Sequence, residues 1–291
     1  MTGGQEGRRV RSLLKRELGL SNGLILRLKQ RDGAVRLNGK PVRTIDIVHE
    51  GDVLTAEVGD TRAGCCFAPI SYPLEILYED EDLVIINKPA GMATYGSAGR
   101  GEATVANAIA AYLGAEKPFH PVNRLDRGTT GLMCVAKTGY VHDRMRRMLH
   151  SERFHREYLA LAVGAVKPRN GVIDLPIMRI GDRTFGVSPQ GAPSLTRYET
   201  VGTGGGLTLL KVRPETGRTH QIRVHFSAVG CPLLGDRVYG RETNELARPA
   251  LHSRALYLTQ PVSGLVIAIS APLPADMKEA LQRYEIKADL L

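Results

Sequence analysis

The pattern of apolar and polar positions changes character after residue 60. In "RRVRSLLKRELGL" the apolar residues Val10, Leu13, Leu14 and Leu18 recur three and four apart, on one face of a helix. Gly19 ends that helix, and Ser21 is placed to cap a second one that carries Leu24, Ile25 and Leu28 before Gly33 stops it. "AVRLNGKPV" reads as strand, Asn-Gly turn and strand, and "EGDVLTAEV" as a further turn and strand. Residues 1–60 are therefore expected to form a small α/β unit, two helices packed on a small sheet. The stretch "GDTRAGCCFAPISYP" has weak periodicity with Gly and Pro, so residues 61–73 read as a linker.

From residue 74 to 291 short apolar runs alternate with turns. "LEILYEDEDLVIINKPAG" is strand, acidic turn, strand and a Lys-Pro-Ala-Gly loop, and "ATVANAIAAYL" is a helix. "GLMCVAKT" is a strand, after which Thr138 caps a helix bearing Val141, Met145, Met148 and Leu149. "REYLALAVG", "SLTRYETVG", "LTLLKVRP" and "LVIAISAPLP" read as strands, and the "GTGGG" of residues 202–206 as a flexible hairpin. "RTHQIRVHFSAVG" is a helix capped by Thr219, with Ile222, Phe226 and Val229 inward and Gly230 at its end. Pro274 opens a final helix with Met277, Ala280 and Leu281 inward. Mostly antiparallel strands with interspersed helices make the fold class α+β.

Charge adds a partner to this picture. The chain has 39 Lys and Arg against 30 Asp and Glu, a net charge of +9. A basic balance of this kind favours a polyanion, nucleic acid first. Up to Arg31 the basic residues are Arg8, Arg9, Arg11, Lys15, Arg16, Arg27, Lys29 and Arg31, opposed by Glu6 and Glu17. One sign clustered on two helices points to a phosphate-facing surface rather than a merely solvated face. The cysteines Cys65, Cys66, Cys134 and Cys231 form no C-x-x-C pair and suit neither zinc nor a disulfide framework, so a reducing, cytoplasmic setting is expected. "MTGGQEGRRV" lacks the apolar core of a signal peptide, and no apolar run reaches the about 18 residues of a membrane span.

Two stretches carry candidate chemistry. In "NRLDRGTTG", Arg124 and Arg127 flank Asp126, and nearby positive charge favours an ionised carboxylate, fit for a nucleophile or base. Gly128 and Gly131 allow a tight turn that leaves the carboxylate at a strand edge. A salt-bridged surface turn explains the same residues, and local pattern alone favours it. "RPETGRTHQIRVH" packs Arg213, Arg218, His220, Arg223 and His225 around a helix start, where an anion is welcome and an arginine can fork onto carboxylate or phosphate. His220 and His225 are five apart and share no face, so no metal site is expected. Tyr158 is either core filler or a platform for a base, and Lys88 either a turn lysine or a cleft residue. No Walker loop, G-x-G-x-x-G, G-x-S-x-G or H-E-x-x-H occurs, and no cofactor is expected.

Taken together, "NRLDRGTTGLMCVAKT", "REYLALAVG" and "TGRTHQIRVHFSAVGCPLLGDRVYG" resemble the RluA/RluD-type family of RNA pseudouridine synthases, in order and spacing with "NKPAG", over residues 74 to 285. The N-terminal unit resembles the S4-like RNA-binding domain often fused to such enzymes. The resemblance implies a β-rich catalytic domain over 74–291 with a mixed, mainly antiparallel sheet and a central cleft. It implies a catalytic Asp126, an active-site Tyr158, and Arg218 as the arginine paired with the carboxylate. Arg124, Arg127, Lys88, His220 and Arg223 are then expected to contact substrate RNA. Arg8, Arg9, Lys15, Arg16, Arg27 and Lys29 would supply an auxiliary RNA surface. Family members usually carry His-Arg-Leu-Asp and an Asp-Thr-Ser-Gly-like run, where this chain has Asn123, Gly128 and Thr130. The implied protein is a monomeric, cofactor-free isomerase acting on RNA, with large-subunit ribosomal RNA favoured over transfer RNA. A non-catalytic RNA-binding or ribosome-assembly factor on the same fold is the competing reading. A glycosidase is disfavoured for want of a second carboxylate.

Overall fold

The computed structural model describes residues 3–60, 67–96, 102–149, 151–240 and 246–287. Helices α1 (Val10–Arg16) and α2 (Asn22–Lys29) pack on a three-stranded sheet of β1 (Val35–Leu37), β2 (Lys40–Pro41) and β3 (Leu54–Ala56). Ser21 caps α2, its Oγ accepting from the Leu24 N–H at 3.2 Å. Asn38 and Gly39 both sit at positive φ, 51° and 78°, as a two-residue hairpin of this kind requires. Val10, Leu13, Leu14, Leu24, Ile25 and Leu28 are buried together with Val35 and Val48, each such side chain contributing about 1.5–3 kcal/mol.

The rest of the chain is organised by one ten-stranded mixed sheet. In chain order the strands are β4 (Glu75–Glu79), β5 (Leu83–Lys88), β6 (His120–Pro121), β7 (Thr130–Ala136), β8 (Phe154–Val163) and β9 (Asn170–Asp174). A two-stranded ribbon follows, β10 (Ile177–Arg179) with β11 (Phe185–Val187), then β12 (Leu195–Gly204), β13 (Leu207–Pro214), β14 (Leu251–Thr259) and β15 (Val266–Ser270). The path is β4-β5-β7-β14-β8-β13-β12-β9, with β15 on β14 and β6 on β7. Apolar residues on both parities explain the near-continuous hydrophobic runs of β5, β7 and β8. Val84, Ile86, Met133, Val135, Ala160 and Ala162 face α3 (Val105–Leu113) and α5 (Gln221–Ala228). Leu83, Ile85, Leu132 and Cys134 face α4 (Gly139–Met148) on the opposite side, and Leu159 and Leu161 face α6 (Ala275–Arg283).

Strand β14, central to the sheet, carries the polar run His252, Ser253 and Arg254, which hides it from a hydrophobic reading. His252 and Ser253 are buried but mostly satisfied: Ser253 Oγ donates to the Leu132 carbonyl at 3.1 Å, and His252 Nδ1 lies 2.9 Å from Thr130 Oγ1. β14 runs parallel to β7, pairing Ser253 with Gly131. Gly131 has φ 103°, and a Cβ there would overlap the Ser253 carbonyl oxygen, so only glycine permits this approach.

Three local expectations are corrected. Thr219 does not cap α5: the helix begins after His220, a left-handed residue at φ 56°, and the side chain of Gln221 accepts from the Arg218 N–H at 3.0 Å. Val229 lies past the last helical turn and is 44% exposed rather than inward. The 202–206 glycine hairpin is not loose, because Gly204 and Gly205 pack against Tyr284. Of the linker, residues 61–66 with Cys65 and Cys66 lie outside the described residues. Beyond them, Ala68 and Ile70 bond to Asn107 of α3.

The N-terminal unit sits on α4. Asp60 accepts from the Gly139 N–H at 3.0 Å, a carboxylate at a helix N-terminus, and pairs with His120 at 2.9 Å. Tyr140 packs into the N-terminal core and donates to the Leu18 carbonyl at 3.1 Å, while Arg147 donates to the Gly19 carbonyl at 2.8 Å.

Candidate active site

Asp126 lies in the segment between β6 and β7, and several buried polar groups hold that segment. Asn123 spans it and β7: its Oδ1 accepts from the Cys134 N–H at 2.8 Å, and its Nδ2 donates to the Leu132 carbonyl at 3.3 Å. Thr94 Oγ1 donates to the Leu125 carbonyl at 2.8 Å and accepts from the Leu125 N–H at 3.2 Å. Arg248, paired through two 2.7 Å bonds to Asp276, donates to the Gly128 carbonyl at 3.1 Å.

Lys88 belongs to this scaffold and not to an RNA-contacting surface, which corrects the sequence expectation. It ends β5 with no exposed surface, and its Nζ donates to the carbonyls of Pro89 at 2.7 Å, Met92 at 2.8 Å and Arg127 at 3.3 Å. Burial pushes its ammonium down to about 7, against the pull of Asp126. Three carbonyl acceptors nonetheless match the three donors of the charged form. Buried this way, Lys88 cannot reach a phosphate.

The arginines beside Asp126 in sequence do not pair with it. Arg124 donates to the Tyr95 hydroxyl at 2.5 Å, and Arg127 bonds Glu102 at 2.5 Å and the Gly91 carbonyl at 3.0 Å. The carboxylate's partners come from α5 instead. Arg223 Nη1 stands 3.4 Å from Asp126 Oδ2, and His220 Nε2 stands 3.9 Å from Oδ1. The sequence expectation put Arg223 on RNA and Arg218 on the carboxylate. Those two roles separate differently because Arg223, in the first turn of α5, is the one turned into the fold.

Arg223 is 7% exposed and forks onto Asp236, with Nε–Oδ2 at 2.7 Å and Nη2–Oδ1 at 2.8 Å, so one guanidinium joins two carboxylates. Burial alone would push the Asp236 carboxyl up, but the Arg223 bonds and the Val238 and Tyr239 amides hold it below the usual range. Tyr239 lies with its ring centroid 5.0 Å from the guanidinium carbon, and its hydroxyl is 2.8 Å from His220 Nδ1. Arg218 lines the same cleft but is exposed, its Nε donating to the Pro193 carbonyl at 3.2 Å.

Asp126, Tyr158, Arg124 and Arg218 all line one cleft of about 650 Å³. Tyr158 is 5% exposed, and burial raises its hydroxyl above the ordinary tyrosine value, so it is protonated at neutral pH. Arg156 and Arg146 add further cations to the cleft lining, Arg146 from the helix on which the N-terminal unit sits.

Comparison with known proteins decides the family. Residues 82–228 match the family described as RNA pseudouridylate synthase. An uncharacterized RNA pseudouridine synthase of Bacillus subtilis is 34% identical over 91% of this chain and 96% of its own length. The ribosomal large subunit pseudouridine synthase D of Yersinia pestis is 36% identical over 89% of this chain and 84% of its own.

The chain belongs to the RNA pseudouridylate synthase family.

The synthase is therefore an isomerase with RNA as substrate. Its fold agrees: the solved human RNA pseudouridylate synthase domain containing 4 superposes with a TM-score of 0.61 at 25% identity, over 73% of this chain and 94% of that one. No helix among the described residues is long and apolar enough to cross a membrane, and none of their side-chain clusters could hold a metal ion. Sequence reasoning missed Asp236, Tyr239 and Arg248. The "GDRVYG" run contains the first two, yet nothing in its spacing points to an arginine thirteen residues back.

Proposed function

We propose that this synthase isomerises uridines of large-subunit ribosomal RNA, with Asp126 as the reacting carboxylate and no cofactor. One observation carries the reading: a partly exposed carboxylate in the cleft, held on one side by Arg223 and His220, with the buried Tyr158 lining the same space. The ribosomal target is supported by relatives named ribosomal large subunit pseudouridine synthase D from several bacteria.

Isomerisation breaks the N1–C1′ bond, turns the uracil and joins C5 to C1′; the C5 proton leaves and N1 gains one. Atoms and electrons balance without an external reagent. Asp126 acts on the sugar or base as nucleophile, or as the sugar-side base. Arg223 holds and aims it. Tyr158 provides the wall against which the detached uracil stays stacked, and its hydroxyl, bonded to Ser253, can take up a proton only by passing its own on. The target nucleotide leaves its stack to enter, at a cost of a few kcal/mol. Arg124, Arg127 and Arg218, all exposed, are placed to meet the RNA backbone.

In the same reading residues 1–60 are an S4-like RNA-binding unit and 74–291 the catalytic domain. Arg9, Lys15, Arg16, Arg27 and Lys29 are exposed there, and Arg8 is half-buried beside Glu17 at 3.8 Å. Because the unit is seated on α4, whose Arg146 lines the cleft, one RNA can engage both. The test is pseudouridine mapping in ribosomal and transfer RNA from cells lacking the gene. Loss of a large-subunit signal, restored by the purified protein in vitro, is expected. Loss only in transfer RNA would overturn the ribosomal assignment.

A further inference from the structure

One side of Asp126 faces His220, which lines the cleft, and behind His220 stands Tyr239, which lies past the family match that ends at residue 228. Four groups form a chain. The Phe185 N–H of β11 donates to the Tyr239 hydroxyl oxygen at 3.0 Å. The same hydroxyl lies 2.8 Å from His220 Nδ1, and His220 Nε2 lies 3.9 Å from Asp126 Oδ1. His220 is fixed in other ways too. It holds a left-handed backbone at φ 56°, a conformation uncommon outside glycine and populated mainly by Asn, Asp and His. Its ring meets Phe185 edge-on at 5.6 Å and Tyr239 at 5.5 Å.

Donor and acceptor arithmetic then assigns the proton. The Tyr239 oxygen already accepts from a backbone N–H, and among its hydrogen bonds to described residues, His220 Nδ1 is the acceptor for its single proton. If Nδ1 accepts, a neutral His220 carries its hydrogen on Nε2, facing the carboxylate. The opposite tautomer would point a lone pair at an anion and leave the tyrosine proton unmatched.

We propose that His220 is a positioning residue that presents an Nε2–H to Asp126, and that Tyr239, oriented by the Phe185 amide, fixes this tautomer. The inference rests on Asp126 being the reacting carboxylate. Arg223 stands 3.4 Å from one carboxylate oxygen and the His220 Nε2–H faces the other across 3.9 Å, an electrostatic contact rather than a hydrogen bond, so two groups at the start of α5 orient the carboxylate. With Nδ1 occupied and Nε2 already protonated, His220 cannot serve as the base that takes the C5 proton.

The charged and titratable groups around His220 are Asp126 from the loop before β7, Arg223 from its own helix, and Asp236 and Tyr239 from the segment after α5. Burial, with Arg223 beside it, holds the imidazole below the usual histidine range against the pull of Asp126 and Asp236. It is therefore neutral at neutral pH, and only a neutral ring has a tautomer to fix.

The test uses the intact protein labelled with 15N-histidine. At pH 7.5 the His220 signals, assigned by their loss in His220→Gln, should show a protonated Nε2 and an unprotonated Nδ1. In Tyr239→Phe the tautomer should become mixed, and the ring should take up a proton at higher pH than in the wild type. Activity separates positioning from mere structure. His220→Asn suits the left-handed backbone but cannot reach Asp126, whereas His220→Gln retains an N–H near the Nε2 position. We expect kcat to fall about 10-fold or more in His220→Asn and less than about 3-fold in His220→Gln, with KM for RNA within about 2-fold in both. A protonated Nδ1 in the wild type, or better turnover in the Asn variant, would overturn the proposal. Either result would leave the role of Asp126 intact, since that role is tested separately by its own substitution.

Discussion

On α1 and α2 and at the N-cap of α1, Arg9, Arg11, Lys15, Arg16, Arg27 and Lys29 all stand exposed, whereas in the cleft Arg223 is buried and shared between two carboxylates. The same kind of charge is used for two purposes. Exposed cations are cheap to keep and act through the ionic atmosphere of a polyanion, with little effect on the fold. A buried guanidinium is tied to its partners, so removing it leaves an uncompensated charge and damages fold and site together.

Substitutions in the two regions should therefore fail differently. Arg223→Met leaves Asp236, which has no exposed surface, without its fork, and we expect a loss of about 3–5 kcal/mol in chemical denaturation along with activity. Arg223→Lys should not rescue it, because an ammonium cannot reproduce the bidentate pair. Lys88→Met strands three carbonyls around the Asp126 loop and should cost about 3 kcal/mol. A stability change under about 0.5 kcal/mol there would contradict the scaffold role.

Acid should act on the core in a comparable amount. Burial lowers His252 to about 4 in the folded protein. A group depressed on folding binds its proton more readily in the unfolded chain, so its stability is intact above about pH 6.5. That stability is lost as pH falls through about 4, up to about 3 kcal/mol. His142, His220 and His225 are lowered by burial as well, so His252→Asn should reduce the acid slope without abolishing it.

The smallest effects on stability belong to the N-terminal unit. Lys15→Gln, Arg16→Gln, Arg27→Gln and Lys29→Gln combined should leave unfolding within about 0.5 kcal/mol of wild type. The slope of log affinity against log salt should nonetheless fall by about 0.7 for each phosphate of single-stranded RNA that is no longer neutralised. An unchanged slope would mean that these helices neutralise no phosphates and that the two regions do not divide the work in this way.

The two regions also differ in what their sequences disclose. The N-terminal helices, the Ser21 cap and the Asn38–Gly39 turn follow local rules, since each is decided by residues within a few positions. Strands β5, β7, β8, β12 and β13 are legible for the same reason. The centre of the sheet is not: β14 buries His252 and Ser253 on bonds to Thr130 and Leu132, more than a hundred residues away. Asp126 itself is legible as a candidate from its loop. Its surroundings are not, because the adjacent arginines turn to Tyr95 and Glu102 while Arg223 and His220 arrive from α5. Charge next to a residue in sequence is a poor guide to charge beside it in space.

The most direct test of the account is Asp126→Asn, assayed for pseudouridine formation under single-turnover conditions and, in parallel, for RNA binding and thermal unfolding. The amide keeps the shape of the carboxylate and removes its charge and nucleophilicity. We predict a rate reduced by at least about 10³-fold, with RNA affinity and unfolding close to those of the wild type. Pseudouridine formation at an undiminished rate in that variant would contradict the central claim that Asp126 carries the reaction.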